Sequence, residues 1–335
     1  MDYKGSITDI QGIKVGHHTD TDALTGCTVI LCEHGAVGGV DQRGGAPGTR
    51  ETDLLKPMHL VDTVHAILIA GGSAFGLDAA AGVMQYLEEK KIGFNTGVTR
   101  VPIVPAAILF DLAVGNSKIR PDREMGYFAC ENATSDQKLV GNVGAGTGCT
   151  IGKILGSAQI MKSGIGMASM DIGGGIKVGA IVAVNAFGDL IDPETNNIIA
   201  GARTINAKVL KIGSSGYFAN TLEIMKTLTG RSILKLSNLI NTVIGVVATN
   251  AKLGKNETNK VAQMAQDGIA RTIRPAHTML DGDTIFALAT GKKKADVNIV
   301  GAFAAEVVAQ AILSGVLSAK AVLNIPSAFR GDADQ

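Results

Sequence analysis

The sequence predicts an α/β chain without an obvious domain break, on three observations. Apolar, β-branched runs of strand length alternate with longer stretches of helical period in both halves of the 335 residues. The 43 glycines sit at the ends of apolar runs and inside them, with no strict period. That excludes a collagen-like chain and points to tight turns and closely packed backbones. With 46% hydrophobic and 18% charged residues, there is material for a sizeable core, in one large domain or two of ordinary size.

The balance of charge narrows the function classes. A net charge of +1, with no basic run longer than Lys292-Lys293-Lys294, argues against a nucleic-acid-binding surface. Met1-Asp2-Tyr3-Lys4-Gly5 carries no apolar signal region, and no uninterrupted apolar run is long enough to span a membrane. A cytoplasmic protein is expected. Cys27, Cys32, Cys130 and Cys149 lack CxxC spacing and lie in apolar or glycine-rich surroundings, as buried reduced thiols do.

The elements follow in order. Ile7 to Val15 and Gly26 to Cys32 read as strands, with His17 and His18 in the turn between them. No third ligand stands at metal-site spacing and HExxH is absent, so no metal is expected there. Residues 38–48 read as a glycine-rich polar loop, in which Arg43, with Arg50 just beyond, could hold a carboxylate. Ala66 to Ala70 is a strand running into Gly71-Gly72-Ser73-Ala74-Phe75-Gly76, with a helix from Leu77 to Glu89. This resembles a nucleophile elbow, but Phe75 occupies the last glycine's place, which rejects Ser73 as nucleophile while leaving its loop near a site. Val101 to Leu112, with Pro102 and Pro105, begins extended and turns helical near Ala106; a further helix starts near Gly126.

Gly141 to Lys153 invites two phosphate-loop readings. Walker A needs glycine at Thr147 and a hydroxyl residue at Ile154, and the dinucleotide fingerprint needs glycine at Cys149. Both fail, no cofactor is implied, and what remains is a glycine loop delivering Lys153. Ile160 to Ala168 and Val178 to Val184 read as strands, the second ending at Asn185, which is either a turn residue or an amide donor to an oxyanion. Residues 189–240 are more polar, with a helix over Thr221 to Leu228, and read as a linker. Helices are expected over Thr258 to Ala270 and Asn298 to Leu317.

That linker leads into Asn241-Thr242-Val243-Ile244-Gly245-Val246-Val247, a short strand buried on both faces. Asp281-Gly282-Asp283-Thr284 then opens a second apolar strand. Adjacent strands of this kind would set two carboxylates beside the Thr242 hydroxyl and make it a candidate nucleophile. Asp-Gly also commonly forms a plain turn, in which Asn would replace either aspartate with little loss.

Four motifs in this order resemble the P1 family of self-processing aminopeptidases and amidases. They are the glycine loop ending in Lys153, Val184-Asn185-Ala186-Phe187-Gly188, Asn241-Thr242, and His277-Thr278-Met279-Leu280-Asp281-Gly282-Asp283-Thr284. Within the family they are most similar to the nylon-oligomer (6-aminohexanoate) hydrolase branch, and the likeness runs from about Ile7 to Leu317. The resemblance implies a four-layer αββα sandwich, like N-terminal-nucleophile hydrolases in layering but differently connected. It implies self-cleavage between Asn241 and Thr242 of a single domain, into fragments 1–241 and 242–335, and a homo-oligomer, often a tetramer of processed heterodimers. Thr242 falls on the nucleophile, Asn185 on the oxyanion asparagine, and Lys153, Asp281 and Asp283 on the assisting groups. The substrate implied is a small peptide or amide.

Two departures stand out. Ile103-Val104-Pro105-Ala106-Ala107 has no acid where the aminopeptidases carry the glutamate that grips a free amine, and Asp281-Gly282-Asp283 replaces their Ser-Gly-Glu turn. A broader or endo-acting amidase is as compatible as an aminopeptidase. Acyl transfer of the ornithine acetyltransferase type, or a member that never processes, are the alternatives.

Overall fold

In a computed structural model of the chain, residues 5–206, 211–212, 216–236 and 241–328 are described. The strands that matter are β1 (Lys14–Asp20), β2 (Thr25–Gln42), β3 (Thr63–Ala70), β4 (Ala106–Ile108), β5 (Ile165–Asp171), β6 (Lys177–Asn185), β7 (Thr242–Lys252) and β8 (Thr284–Lys294). The helices are α1 (Ala79–Glu89), α2 (Arg123–Glu131), α3 (Lys255–Thr272) and α4 (Val297–Leu317). The strands join in one sheet in the order β5-β6-β7-β8-β2-β3-β4, with Thr49–Arg50 at the edge beside β4 and β1 alongside β2. All neighbours are antiparallel except β7 with β8 and β3 with β4.

Period-two patterning divides this sheet into layers. Val178, Ala180, Val182, Val184, Val243, Val247, Ile285 and Ala287 face α3 and α4 in one core. The alternate residues Ile181, Ala183, Ile244, Val246, Phe286 and Leu288 meet Ile30, Ile67 and Ile69 in a second core. Beyond it, Val29, Leu31, Ala66 and Leu68 face α1 and α2 in a third. A strand apolar on both sides is the expected pattern for a sheet covered on both faces. The chain is an αββα sandwich, and β2 serves both sheet layers. Its residues 27–31 pair with β1 and β3 and its residues 37–42 with β8, with the register broken between Leu31 and Ala36.

Several local expectations are corrected. Ile7–Asp9 is a 3-10 turn capped by Ser6, and the first strand starts only at Lys14. His17 and His18 lie in β1 rather than in a turn, and His17 is buried, with Nδ1 2.9 Å from Thr28 Oγ1. Gly38 to Gln42 continues β2, because Gly39 lies against the α3 backbone at Thr258, where any Cβ would collide. Ala106 opens a strand instead of a helix, since Ala106 and Ala107 pair with Leu68 and Ile69. Arg43 is engaged with Asp41 and the Gln263 carbonyl. Arg50 meets Met84 Sδ. The part of the 189–240 linker at 207–210, 213–215 and 237–240 lies outside the described residues; Thr221–Lys226 and Leu228–Leu236 are short helices.

All four cysteines are buried and unpaired. Burial pushes the Cys27 and Cys149 thiols up to about 12. α4 is long and apolar enough to cross a membrane by length and composition, yet most of it is buried inside the fold, packed on β5, β6 and α3. An apolar helix covered on several sides is a core helix.

Candidate active site

Thr242 is the first residue of β7 and lies directly opposite Asn185, the last residue of β6. Alternation along each strand puts both side chains on the face of Ala183 and Ile244, at the end of the inter-sheet core. Both residues are buried. The Thr242 hydroxyl donates to the carbonyl of Asn241, the residue just before it. Gly282 lies so close that a Cβ on it would come within 2.9 Å of Thr242 Oγ1.

The parallel neighbour β8 brings the carboxylates. Ile244 pairs with Thr284, and three residues before that pair on both strands Asn241 bridges Asp281. Asn241 N–H donates to the Leu280 carbonyl at 2.9 Å, and Gly282 N–H donates to the Asn241 carbonyl at 2.8 Å. Asp283 receives three bonds, from Val243 N–H at 2.8 Å on Oδ1 and from His277 N–H at 3.0 Å and Nδ1 at 2.9 Å on Oδ2. Asp281 Oδ2 receives Thr278 N–H at 2.9 Å and its hydroxyl at 2.6 Å. Burial, then the charge of Asp283 beside it, raises the Asp281 carboxyl from 3.8 to about 6.

The glycine loop brings the lysine. Lys153 Nζ donates to Asn185 Oδ1 at 2.7 Å and to the Asn185 carbonyl at 3.1 Å. Thr150 N–H also reaches Asn185 Oδ1, at 3.1 Å, while Asn185 Nδ2 donates to the Phe110 carbonyl at 2.8 Å. Burial lowers the Lys153 amine from 10.5 to about 8, against the opposing pull of Asp281 and Asp111. The five sequence-predicted site residues are thus brought into one cluster at the β6–β7–β8 strand ends. Asn241 is fully buried, and both polar atoms of its side chain lack a hydrogen-bond partner among the described residues. An unpaired buried amide of this kind costs about 1–3 kcal/mol.

Other residues complete the site without having been singled out by the sequence. His277 and Thr278 fix the two carboxylates, and both lie in the motif already noted, so position was a usable signal. Asp111 is buried between Gly72 N–H at 2.7 Å and the Thr25 hydroxyl at 2.8 Å. It ties the loop before Ser73 to the segment whose Phe110 carbonyl orients Asn185. Lys162, fully buried, donates to the Cys149 carbonyl at 2.9 Å and the Gly146 carbonyl at 3.2 Å, clamping the loop that carries Lys153. Nothing in a lone Asp or Lys within an apolar run announces such a role.

Two sheet layers between two helix pairs make this an αββα sandwich, layered as in the N-terminal-nucleophile hydrolase fold. The L-aminopeptidase D-Ala-esterase/amidase of Ochrobactrum anthropi, solved as a variant of that fold, superposes with TM-score 0.70 at 18% identity over 97% of this chain and 90% of its own. A β-aminopeptidase of Burkholderia sp. does so with TM-score 0.66 at 21% identity, over 96% and 89%. Residues 5–326 match peptidase family S58, and the chain belongs to that family. It is 44% identical to an uncharacterized aminopeptidase of Mycobacterium leprae, over 96% of this chain and 92% of the relative. A 6-aminohexanoate-oligomer endohydrolase of Kocuria sp. is 29% identical, over 91% and 84%. The protein is a hydrolase acting on peptide or amide bonds.

Proposed function

We propose that the chain is a single-domain, self-processing amidohydrolase that cuts itself between Asn241 and Thr242 and then hydrolyses amide bonds of small peptides or amide oligomers through an acyl-enzyme on Thr242. The observation that carries this is the placement of the Thr242 hydroxyl. It begins a buried strand, hydrogen-bonds to the carbonyl of its own preceding peptide bond, and stands opposite Asn185 with its bound lysine.

The first step is internal. Thr242 Oγ1 bonds to the Asn241 carbonyl carbon, the Asn241–Thr242 C–N bond breaks, and the hydroxyl proton passes to the departing Thr242 nitrogen. Water then hydrolyses the ester, leaving an Asn241 carboxylate, a free Thr242 hydroxyl and a new α-amino group. That amine has an unperturbed pKa of about 8, near enough to neutrality to act as base for the same hydroxyl. In turnover it takes the hydroxyl proton and returns it to the leaving amine. Asp283 and Asp281 hold the ammonium and hydroxyl, Lys153 lowers the pKa of the reacting group by its charge, and Asn185 donates to the oxyanion.

Substrate scope follows from the missing acid. Residues 103, 104, 106 and 107 are buried and apolar, so this segment offers no carboxylate to a substrate's free amine. We assign the chain to amides in general rather than to strict N-terminal aminopeptidases. N-acetylated and free-amine versions of one peptide amide should be cut at comparable rates; hydrolysis of the free-amine form alone would reject this assignment.

Intact mass with N-terminal sequencing tests the processing. Two fragments, the smaller beginning at Thr242, are expected from the native chain. One uncut chain is expected from Thr242→Ala, and slower cutting from Thr242→Ser. Cutting at position 242 in Thr242→Ala would refute the mechanism.

A further inference from the structure

We infer that the hydrogen-bond donor to the oxyanion of self-cleavage is the backbone N–H of Gly282, and that Asn185 does not serve this step. The inference rests on the self-processing reading above and adds a separate donor to it. The carbonyl that must become an oxyanion when Thr242 attacks is that of Asn241. In the uncut chain its oxygen takes hydrogen bonds from Gly282 N–H at 2.8 Å and from the Thr242 hydroxyl. The hydrogen bonds of Asn185 run elsewhere: its oxygen accepts from Thr150 and Lys153, and its nitrogen donates to the Phe110 carbonyl.

The donor is preorganised by the sheet. Asn241 N–H to Leu280 and Gly282 N–H to Asn241 extend the parallel β7–β8 pairing one bridge beyond Ile244–Thr284. The carbonyl oxygen is therefore held before any charge develops. A fixed donor of this kind needs no reorganisation as charge forms, which is where oxyanion stabilisation gains its size. Glycine is required by close approach: a Cβ at 282 would stand 2.8 Å from the Ala46 carbonyl oxygen and 2.9 Å from Thr242 Oγ1. The side chain that is absent leaves room for the nucleophile.

In the cleavage step, the Thr242 oxygen adds to the Asn241 carbon and the carbonyl electron pair moves onto the oxygen that Gly282 holds. Return of that pair expels the Thr242 nitrogen, which leaves with the hydroxyl proton. Gly282 loses and gains no atom. Once Asn241 ends in a carboxylate that can withdraw, a substrate carbonyl enters from outside, and Asn185 is the side-chain amide opposite Thr242.

The test replaces the amide between Asp281 and Gly282 by an ester, with glycolic acid at position 282, in the otherwise native full-length chain. This removes one N–H and keeps the absent side chain absent. Self-cleavage per folded molecule should slow about a hundredfold, the usual cost of one lost oxyanion donor. A rate equal to that of the all-amide chain overturns the inference. A second measurement does not depend on the ester chain folding. In the Thr242→Ala chain, labelled with nitrogen-15 and carbon-13, the coupling transmitted across the hydrogen bond from Gly282 N to the Asn241 carbonyl carbon should be observed; its absence overturns the inference. If the all-amide chain itself remains uncut, self-processing fails, and that outcome is distinct from an ester chain that cuts as fast as the native one.

Discussion

Lys153→Met should leave the fold no more stable at pH 7 and the enzyme worse. Burial takes the Lys153 amine from 10.5 to about 8. At about 1.4 kcal/mol per pH unit, keeping it charged inside the fold at pH 7 costs about 3 kcal/mol. The amine keeps its proton to pH 10.5 in the unfolded chain but only to about 8 in the folded one. Between those values the unfolded state binds more protons, so stability rises with pH through the window and the penalty is complete below it. Methionine removes the penalty and gives up two hydrogen bonds from a charged donor to Asn185, worth about 3–6 kcal/mol together. Asn185 Oδ1 is not orphaned, because Thr150 N–H remains on it. A net loss of about 0–3 kcal/mol at pH 7 follows, and of about 1 kcal/mol near pH 10, where the folded-state amine is already neutral and its bonds are of ordinary strength. The assay is urea unfolding at both pH values, with Thr242→Ala as the parent so that both chains stay uncut. In a chain that retains Thr242, the same substitution should slow self-cleavage about a hundredfold, the scale of assisted proton transfer. A variant more stable than its parent at pH 7 would show that the burial penalty outweighs the two bonds, and one that cuts itself at the native rate would show that the lysine is there for the fold.

Asp281 and Lys153 should shape the pH profile of self-cleavage. Asp281 gains its proton below about 6 and Lys153 loses its own above about 8, so the rate should be bell-shaped between them. Asp281→Asn keeps an oxygen for both Thr278 donors and should erase the acid limb; an unchanged limb would assign it to another group. Asp283→Asn should lower kcat about a hundredfold. It should also destabilise by about 1–3 kcal/mol, since both carboxylate oxygens accept N–H groups and an amide must turn its NH2 on one of them. Near-normal turnover by a processed Asp283→Asn enzyme would return that residue to a turn role. We also expect a homo-oligomer, and a sedimentation mass equal to one 34.5 kDa chain at micromolar concentration would refute it.

The strands with uninterrupted β-branched runs were legible in the sequence because their burial on both faces leaves no polar alternation to misread. Thr242 to Val247 and Val178 to Asn185 are the clearest cases. Ile7 to Val15 misled for the opposite reason. Its isoleucines are buried as a strand's would be, yet Ser6 caps a 3-10 turn and the contacts are made by a loop. Ala106 fell to tertiary pairing with β3, which overrides a modest helical preference. The apolar length of α4 is covered mostly within the chain, by α3, β5 and β6. At the site, Thr242, Asn185, Lys153 and the two aspartates were legible as motifs. The supporting bonds of Gly282, Phe110 and Lys162 were not, since the first two act through backbone groups and Lys162 Nζ bonds to the carbonyls of a loop.

The strand order has a consequence for refolding. β7 and β8, α3 and α4 all follow Thr242, while β6 on one side and β2 on the other precede Asn241. A cut between those residues leaves the shorter piece wedged as the two middle strands of a sheet whose flanks belong to the longer piece. Neither can depart without breaking a full ladder on both sides, so the halves stay together while native. Once denatured, they have no covalent tether. Renaturation of the cut molecule then becomes a second-order encounter, slowing on dilution, whereas the Thr242→Ala chain should recover at a rate independent of its concentration. If the chain cuts itself as proposed, folding is in this sense a one-time event, completed while the polypeptide is still continuous.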